Sequence, residues 1–105
     1  MKTATRPDVM ATVRLLSTEE GGRSSATPPE VFKCVFEFEG EGFDCALLLS
    51  EVGPLAPGDE TTVPVAFLFP EYVKGRLQRG SRFRLWEGKH IAEGEILDVR
   101  DEVRK

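Results

Sequence analysis

Two cysteines, one histidine and a dense set of carboxylates are the residues with chemistry to offer. Cys34 and Cys45 are of the type that forms disulfides, binds soft metals or attacks as a thiolate. His90 is of the type that shuttles protons near neutral pH. Glu19, Glu20, Glu37, Glu39, Glu41 and Asp44 supply acids in number. The stretch "LSTEEGGRSS", Leu16 to Ser25, sets two glycines beside an arginine, as a phosphate-cradling loop does. None of these completes a catalytic set. Catalysis needs a positioned nucleophile, an acid–base pair or a metal. A P-loop requires G-x-x-x-x-G-K-[ST], which does not occur. Paired catalytic acids need a cleft that desolvates one of them, and alternation sends most of these carboxylates to solvent. The chain is therefore read as a non-enzyme without cofactor, nucleotide or catalytic residue.

The elements that carry these residues are short and extended. "MATVRLLS" (10–17) is a β-type run. "VFKCVFEF" (31–38) alternates, with Phe32, Cys34, Phe36 and Phe38 facing one way and Lys33 and Glu37 the other. "EGEG" (39–42) is a turn by composition, and "FDCALLL" (43–49) resumes with Phe43, Cys45, Leu47 and Leu49 on one face. Residues 50–60 form a loop, with a tight turn at Pro57-Gly58. "TTVPVAFLF" (61–69) is β-branched and aromatic; Pro64 cannot donate a ladder hydrogen bond and implies an edge, bulge or bend. "PEYVKGRLQRGS" (70–81) holds at most one helical turn, because Gly75 and Gly80 disfavour more. "RFRLWEG" (82–88) and "KHIAEGEILDV" (89–99) form a second hairpin, with Gly94 marking a bulge or a close backbone approach. Six short strands without a long helical period predict an all-β barrel or sandwich.

The first hairpin decides the cysteines. With Glu39 set opposite Gly42, Cys34 faces Leu47 and Cys45 faces Phe36. The two cysteines are then diagonal neighbours, roughly 7–8 Å apart, too far for easy bridging. Two buried free thiols packed as small apolar groups are expected, with no metal site, since further ligands at metal spacing are missing. His90 is expected on a hairpin strand, at the surface or half-buried.

The chain has 105 residues, a formal charge of −4 and 40% hydrophobic content, which suits one globular domain. Residues 1–9 are expected to be a flexible polar segment, 10–100 a single barrel domain and 101–105 a short polar tail. The start "MKTATRPDVMATVRLL" lacks the apolar core of a signal peptide, and no run approaches a membrane span. A cytoplasmic protein with reduced cysteines and no membrane association is expected.

Charge is uneven along the chain. Residues 1–70 hold five basic and eleven acidic side chains, and residues 71–105 hold nine and seven. Lys74, Arg76, Arg79, Arg82 and Arg84 concentrate in the second part. Alternation places Arg82, Arg84 and Trp86 on one strand face, with Phe83 and Leu85 on the other. A tryptophan among arginines stacks on bases, anchors a protein partner, or lies under the arginine stems.

Four segments, in order, carry a resemblance. They are "VRLLSTEEGGR" (13–23), "LAPGD" (55–59), "VAFLFP" (65–70) and "RFRLWEGKHIAEGEI" (82–96). Together they resemble the C-terminal, third domain of the elongation factor Tu family, over about residues 11–99. The resemblance implies a six-stranded antiparallel closed β-barrel. In the family this domain contacts the T-arm side of aminoacyl-tRNA and the nucleotide-exchange factor. Arg23 matches the tRNA-facing arginine after Gly-Gly. Ser24 stands where the family has histidine, and Phe69 where it places a basic residue before Pro70. The segment before the second strand is shortened to Thr27-Pro28-Pro29-Glu30, and none of the chain's residues resembles the family's guanine-nucleotide domain. The resemblance thus implies a stand-alone, translation-related interaction module that binds a protein partner or another copy of itself. The alternative is an RNA-binding domain that uses Arg23 and the basic 74–84 segment. Candidate binding residues are Arg23, Lys74, Arg76, Arg79, Arg82, Arg84 and Trp86.

Overall fold

In the computed structural model, which describes residues 6–100, the chain forms six strands. They are β1 (Val9–Leu15), β2 (Val31–Phe38), β3 (Glu41–Leu48), β4 (Glu60–Phe67), β5 (Arg82–Trp86) and β6 (His90–Val99). Two single 3-10 turns, Pro70–Tyr72 and Lys74–Arg76, lie between β4 and β5, in the segment expected to hold one helical turn. The strands close into an antiparallel barrel in the order β1-β4-β3-β2-β5-β6. This is the closed six-stranded barrel that the sequence predicts. Closure removes free sheet edges, and β1 is the strand that achieves it by pairing with both β4 and β6. Among the described residues no helix is long and apolar enough to cross a membrane.

Period-two patterning directs the core. Val9, Ala11, Val13 and Leu15 of β1 point inward, and Phe32, Cys34, Phe36 and Phe38 do so from β2. Cys45, Leu47, Val63, Val65, Phe83, Leu85, Ile91 and Ile96 complete the barrel interior. Phe36 sits at its centre, stacked on Phe83 with centroids 4.3 Å apart and edge-on to Phe67 at 4.9 Å. Each such fully buried side chain contributes roughly 1.5–3 kcal/mol relative to exposure. Gly94 admits this packing: a Cβ there would stand 2.4 Å from the Phe83 ring and 2.5 Å from the Thr12 carbonyl oxygen. The close approach expected of this glycine is therefore present.

Pro64 is accommodated by ladder geometry. Leu15 N–H donates to the Asp59 carbonyl, so odd-numbered residues of β4 turn their backbone groups toward β1. The Pro64 nitrogen then faces β3, where pairing has already ended at Leu47↔Val65. The ladder with β3 thus stops where proline cannot donate.

Two expectations are corrected. The first hairpin turns through two residues, Glu39 and Gly40, with φ of 53° and 81°. Positive φ at both positions is the turn that matches strand twist in a two-residue hairpin. Phe38 therefore pairs with Glu41, Glu37 with Gly42, and Cys34 directly with Cys45. The cysteines are opposite, not diagonal; both are buried and free, as expected. The second correction concerns the 1–9 segment. Val9 is fully buried within β1. Asp8 accepts the Phe67 N–H at 2.8 Å and lies 3.5 Å from the Lys74 ammonium, so the barrel anchors it. Residues 1–5 of that segment and the 101–105 tail lie outside the described residues.

Candidate interaction surface

The candidate cations are placed apart and are mostly engaged. Arg23 leaves the loop after β1, where Gly21 takes φ 95° and a Cβ on Gly22 would stand 2.4 Å from the Leu16 carbonyl oxygen. Its guanidinium donates to the Ser25 and Ala26 carbonyls at 3.2 and 3.0 Å. It also pairs with Glu87 and lies 5.0 Å over the Phe32 ring. Only 18% of the Arg23 side chain is exposed, so its donors serve the fold.

Arg76 pairs with Glu39 and Glu41, each at 3.0 Å, and lies over the rings of Phe38 and Phe43. The two carboxylates raise its pKa further above the ordinary arginine value. Lys74 is held by Asp8. Arg79 makes no ion pair among the described residues. Arg82 reaches Glu95 only at 3.9 Å and is largely exposed.

Arg82 and Arg84 line an open polar groove of about 710 Å³ on the outside of β1, β5 and β6. Its floor is of mixed sign. Arg14 is bridged to Glu20 at 3.0 Å and to Glu93 at 2.7 Å, and Glu37, Glu39, Glu60 and Glu95 line the same groove. Hydrogen bonds from Arg14 and from the Ser17 N–H pull the Glu20 carboxyl down to about 2. A groove so supplied with its own carboxylates offers phosphates little net attraction.

His90 lies at the start of β6, half-buried as expected. Its Nε2 meets Glu37 Oε1, and Arg84 Nη1 lies 3.4 Å from its Nδ1. The tautomer with the proton on Nε2 satisfies both contacts: the ring donates to the carboxylate and accepts from the guanidinium. The histidine ties β6 to β2 and faces no nucleophile. Among the described residues no three histidine, cysteine, aspartate or glutamate side chains gather to hold a metal ion.

Trp86 parts from the arginines. It shares their outward face on β5, with the expected alternation of exposed and buried residues, and is 43% exposed. Yet it pairs with Val35 of β2 and overhangs a different groove, of about 680 Å³, across β2, β3 and β4. Val31, Val35, Ala46, Leu48 and Leu68 line that groove with it, and Lys33, Asp44 and Glu87 mark its polar rim. The Cys34 and Cys45 positions underlie its floor, with their side chains turned into the barrel core. Leu68 is 63% exposed and Val31 45%, unusual for apolar residues on a barrel exterior. Four strands contribute one or two apolar positions each, so alternation of any single strand hides the patch. Of the predicted candidates only Trp86 belongs to it.

No protein-family model matches the chain, and no curated protein matches it.

Proposed function

We propose that this barrel is a non-enzymatic interaction module that binds a different protein through the apolar groove beneath Trp86. The carrying observation is the continuous apolar lining from Val31 and Leu48 to Leu68 and Trp86. Water leaves such a surface at a gain of about 25 cal/mol per Å². Tryptophan is among the residues that dominate interface energetics. The rim carries Lys33 against Asp44 and Glu87, and the whole chain carries −4. A second copy brings the same negative charge, so the fitting partner offers an apolar side chain flanked by basic residues. The resemblance to the third domain of elongation factor Tu, a domain used for protein contacts, suggests a setting in translation.

RNA binding is the weaker reading. Arg23 and Arg76 spend their donors on carboxylates and carbonyls, and the groove that holds Arg82 and Arg84 is mixed in sign. Photo-crosslinking from position 31, compared with position 12 on the opposite side, tests the proposal. One polypeptide captured from position 31, lost with Trp86→Ala and insensitive to ribonuclease, supports it. Ribonuclease-sensitive capture, or an inert monomer with no crosslink, overturns it.

A further inference from the structure

Cys34 and Cys45 stand directly opposite one another on β2 and β3, with Sγ atoms 3.7 Å apart. We infer that they form a dithiol site which hydrogen peroxide closes reversibly into an intrachain disulfide. Three observations carry this. The two-residue turn at Glu39-Gly40 fixes the register, so the thiols face each other without any backbone shift. Directly opposed residues of an antiparallel pair have Cα atoms about 4.5–5.5 Å apart, inside the range that disulfides span. Side-chain rotation alone must bring the sulfurs to about 2 Å. Finally, both cysteines keep a little exposed surface although their thiols face the barrel interior, so an oxidant little larger than water reaches them through local opening of the β2–β3 ladder.

The two thiols have different roles. Cys34 is 9% exposed and Cys45 5%. The neighbouring Cys34 and burial push the Cys45 thiol well up. Cys34, the more exposed of the two, meets the oxidant first. Its thiolate sulfur bonds to one peroxide oxygen as the O–O bond breaks. The departing oxygen takes a proton and leaves as water, and Cys34 becomes a sulfenic acid. The sulfur of Cys45 then attacks the Cys34 sulfur. The S–O bond breaks, the released oxygen takes up the thiol proton, and a second water leaves. In sum, two thiols lose two electrons to one peroxide and yield one disulfide and two waters. A facing thiol captures the sulfenic acid before further oxidation. A thiol reductant reverses the bond.

Hydrogen peroxide added to the folded protein, followed by alkylation under denaturing conditions, intact mass measurement and non-reducing peptide mapping, tests this. The expected result is a mass lower by two hydrogens, a Cys34–Cys45 linked peptide, and full reversal by dithiothreitol. Cys45→Ser should halt at a dimedone-trapped sulfenic acid on Cys34. Two alkylatable thiols after treatment, sulfinic acid on Cys34 beside an untouched Cys45, or an intermolecular dimer would each overturn the inference. The mapping on the unmodified sequence is decisive even if the variant does not fold.

Discussion

Arg23 and Glu87 join the loop that follows β1 to the turn between β5 and β6. The arginine also caps two carbonyls of its own loop and covers Phe32. Its position matches a nucleic-acid contact in the resembling family, but here the geometry is that of a latch. Arg23→Ala should destabilise the barrel by about 1–3 kcal/mol, since hydrogen bonds to a charged group are lost together with packing. Arg23→Lys should recover little, because an ammonium cannot reproduce the planar fork. Urea unfolding of the three proteins checks this. An Arg23→Ala protein of unchanged stability that loses affinity for structured RNA would reverse the assignment.

Glycine positions give a second contrast. Gly94→Ala forces a methyl into the Phe83 ring and the Thr12 carbonyl. The carbonyl is backbone and cannot step aside, so a loss of about 1–3 kcal/mol or more is expected. Gly75→Ala meets nothing within 4 Å and should stay within about 0.5 kcal/mol of the parent. Thermal melts followed by circular dichroism distinguish the two.

The Glu20 carboxyl is held at about 2, against an ordinary 4.5, by Arg14 and the Ser17 N–H. A carboxyl depressed in the folded state stabilises above its unfolded pKa, and that stabilisation fades as pH falls toward the folded value. The parent should therefore melt above Glu20→Gln at neutral pH. The gap should shrink between about pH 4.5 and 2 and be absent below that window. Both residues are substantially exposed, so added salt should also narrow the gap. Melting temperatures across this pH range, at low and high salt, are the measurement.

The all-β class was legible because alternation in "VFKCVFEF" and its neighbours reports one buried face per strand, whereas closure into a barrel rather than a sandwich was implied by the resemblance. The cysteine pairing was not. "EGEG" permits several hairpin registers, and the observed one needs Glu39 in a left-handed conformation that non-glycine residues seldom adopt. Sliding the same two-residue turn back by one position, from Gly40-Glu41 to Glu39-Gly40, moves Cys45 from a diagonal to a facing position. The basic group was legible as composition, but its partners were not: Glu39 and Glu41 reach Arg76 only through the fold. The apolar groove was least legible. Val31, Leu48, Leu68 and Trp86 are far apart in sequence, and each reads as an ordinary outward position until closure sets the strands side by side.

Trp86 is where the proposed function meets measurement. It is partly exposed, and its cross-strand neighbours are Val35 on β2 and His90 on β6. Truncation to alanine should therefore cost the barrel no more than about 2 kcal/mol, up to about 1 kcal/mol for each pair. The same truncation removes the largest side chain over the groove. If a partner seats its apolar anchor there, affinity should fall by about thirtyfold or more, the scale of a central aromatic hot spot. Leu68→Asp, on the opposite lip, should weaken the same binding by placing a desolvated charge against an apolar anchor. Arg82→Ala, in the mixed-charge groove, should leave it unchanged. Titration calorimetry with the crosslinked partner, beside near-ultraviolet circular dichroism of each variant, separates lost contact from lost fold. Equal affinity for the parent and Trp86→Ala, with both folded, would remove the groove from consideration as the binding surface.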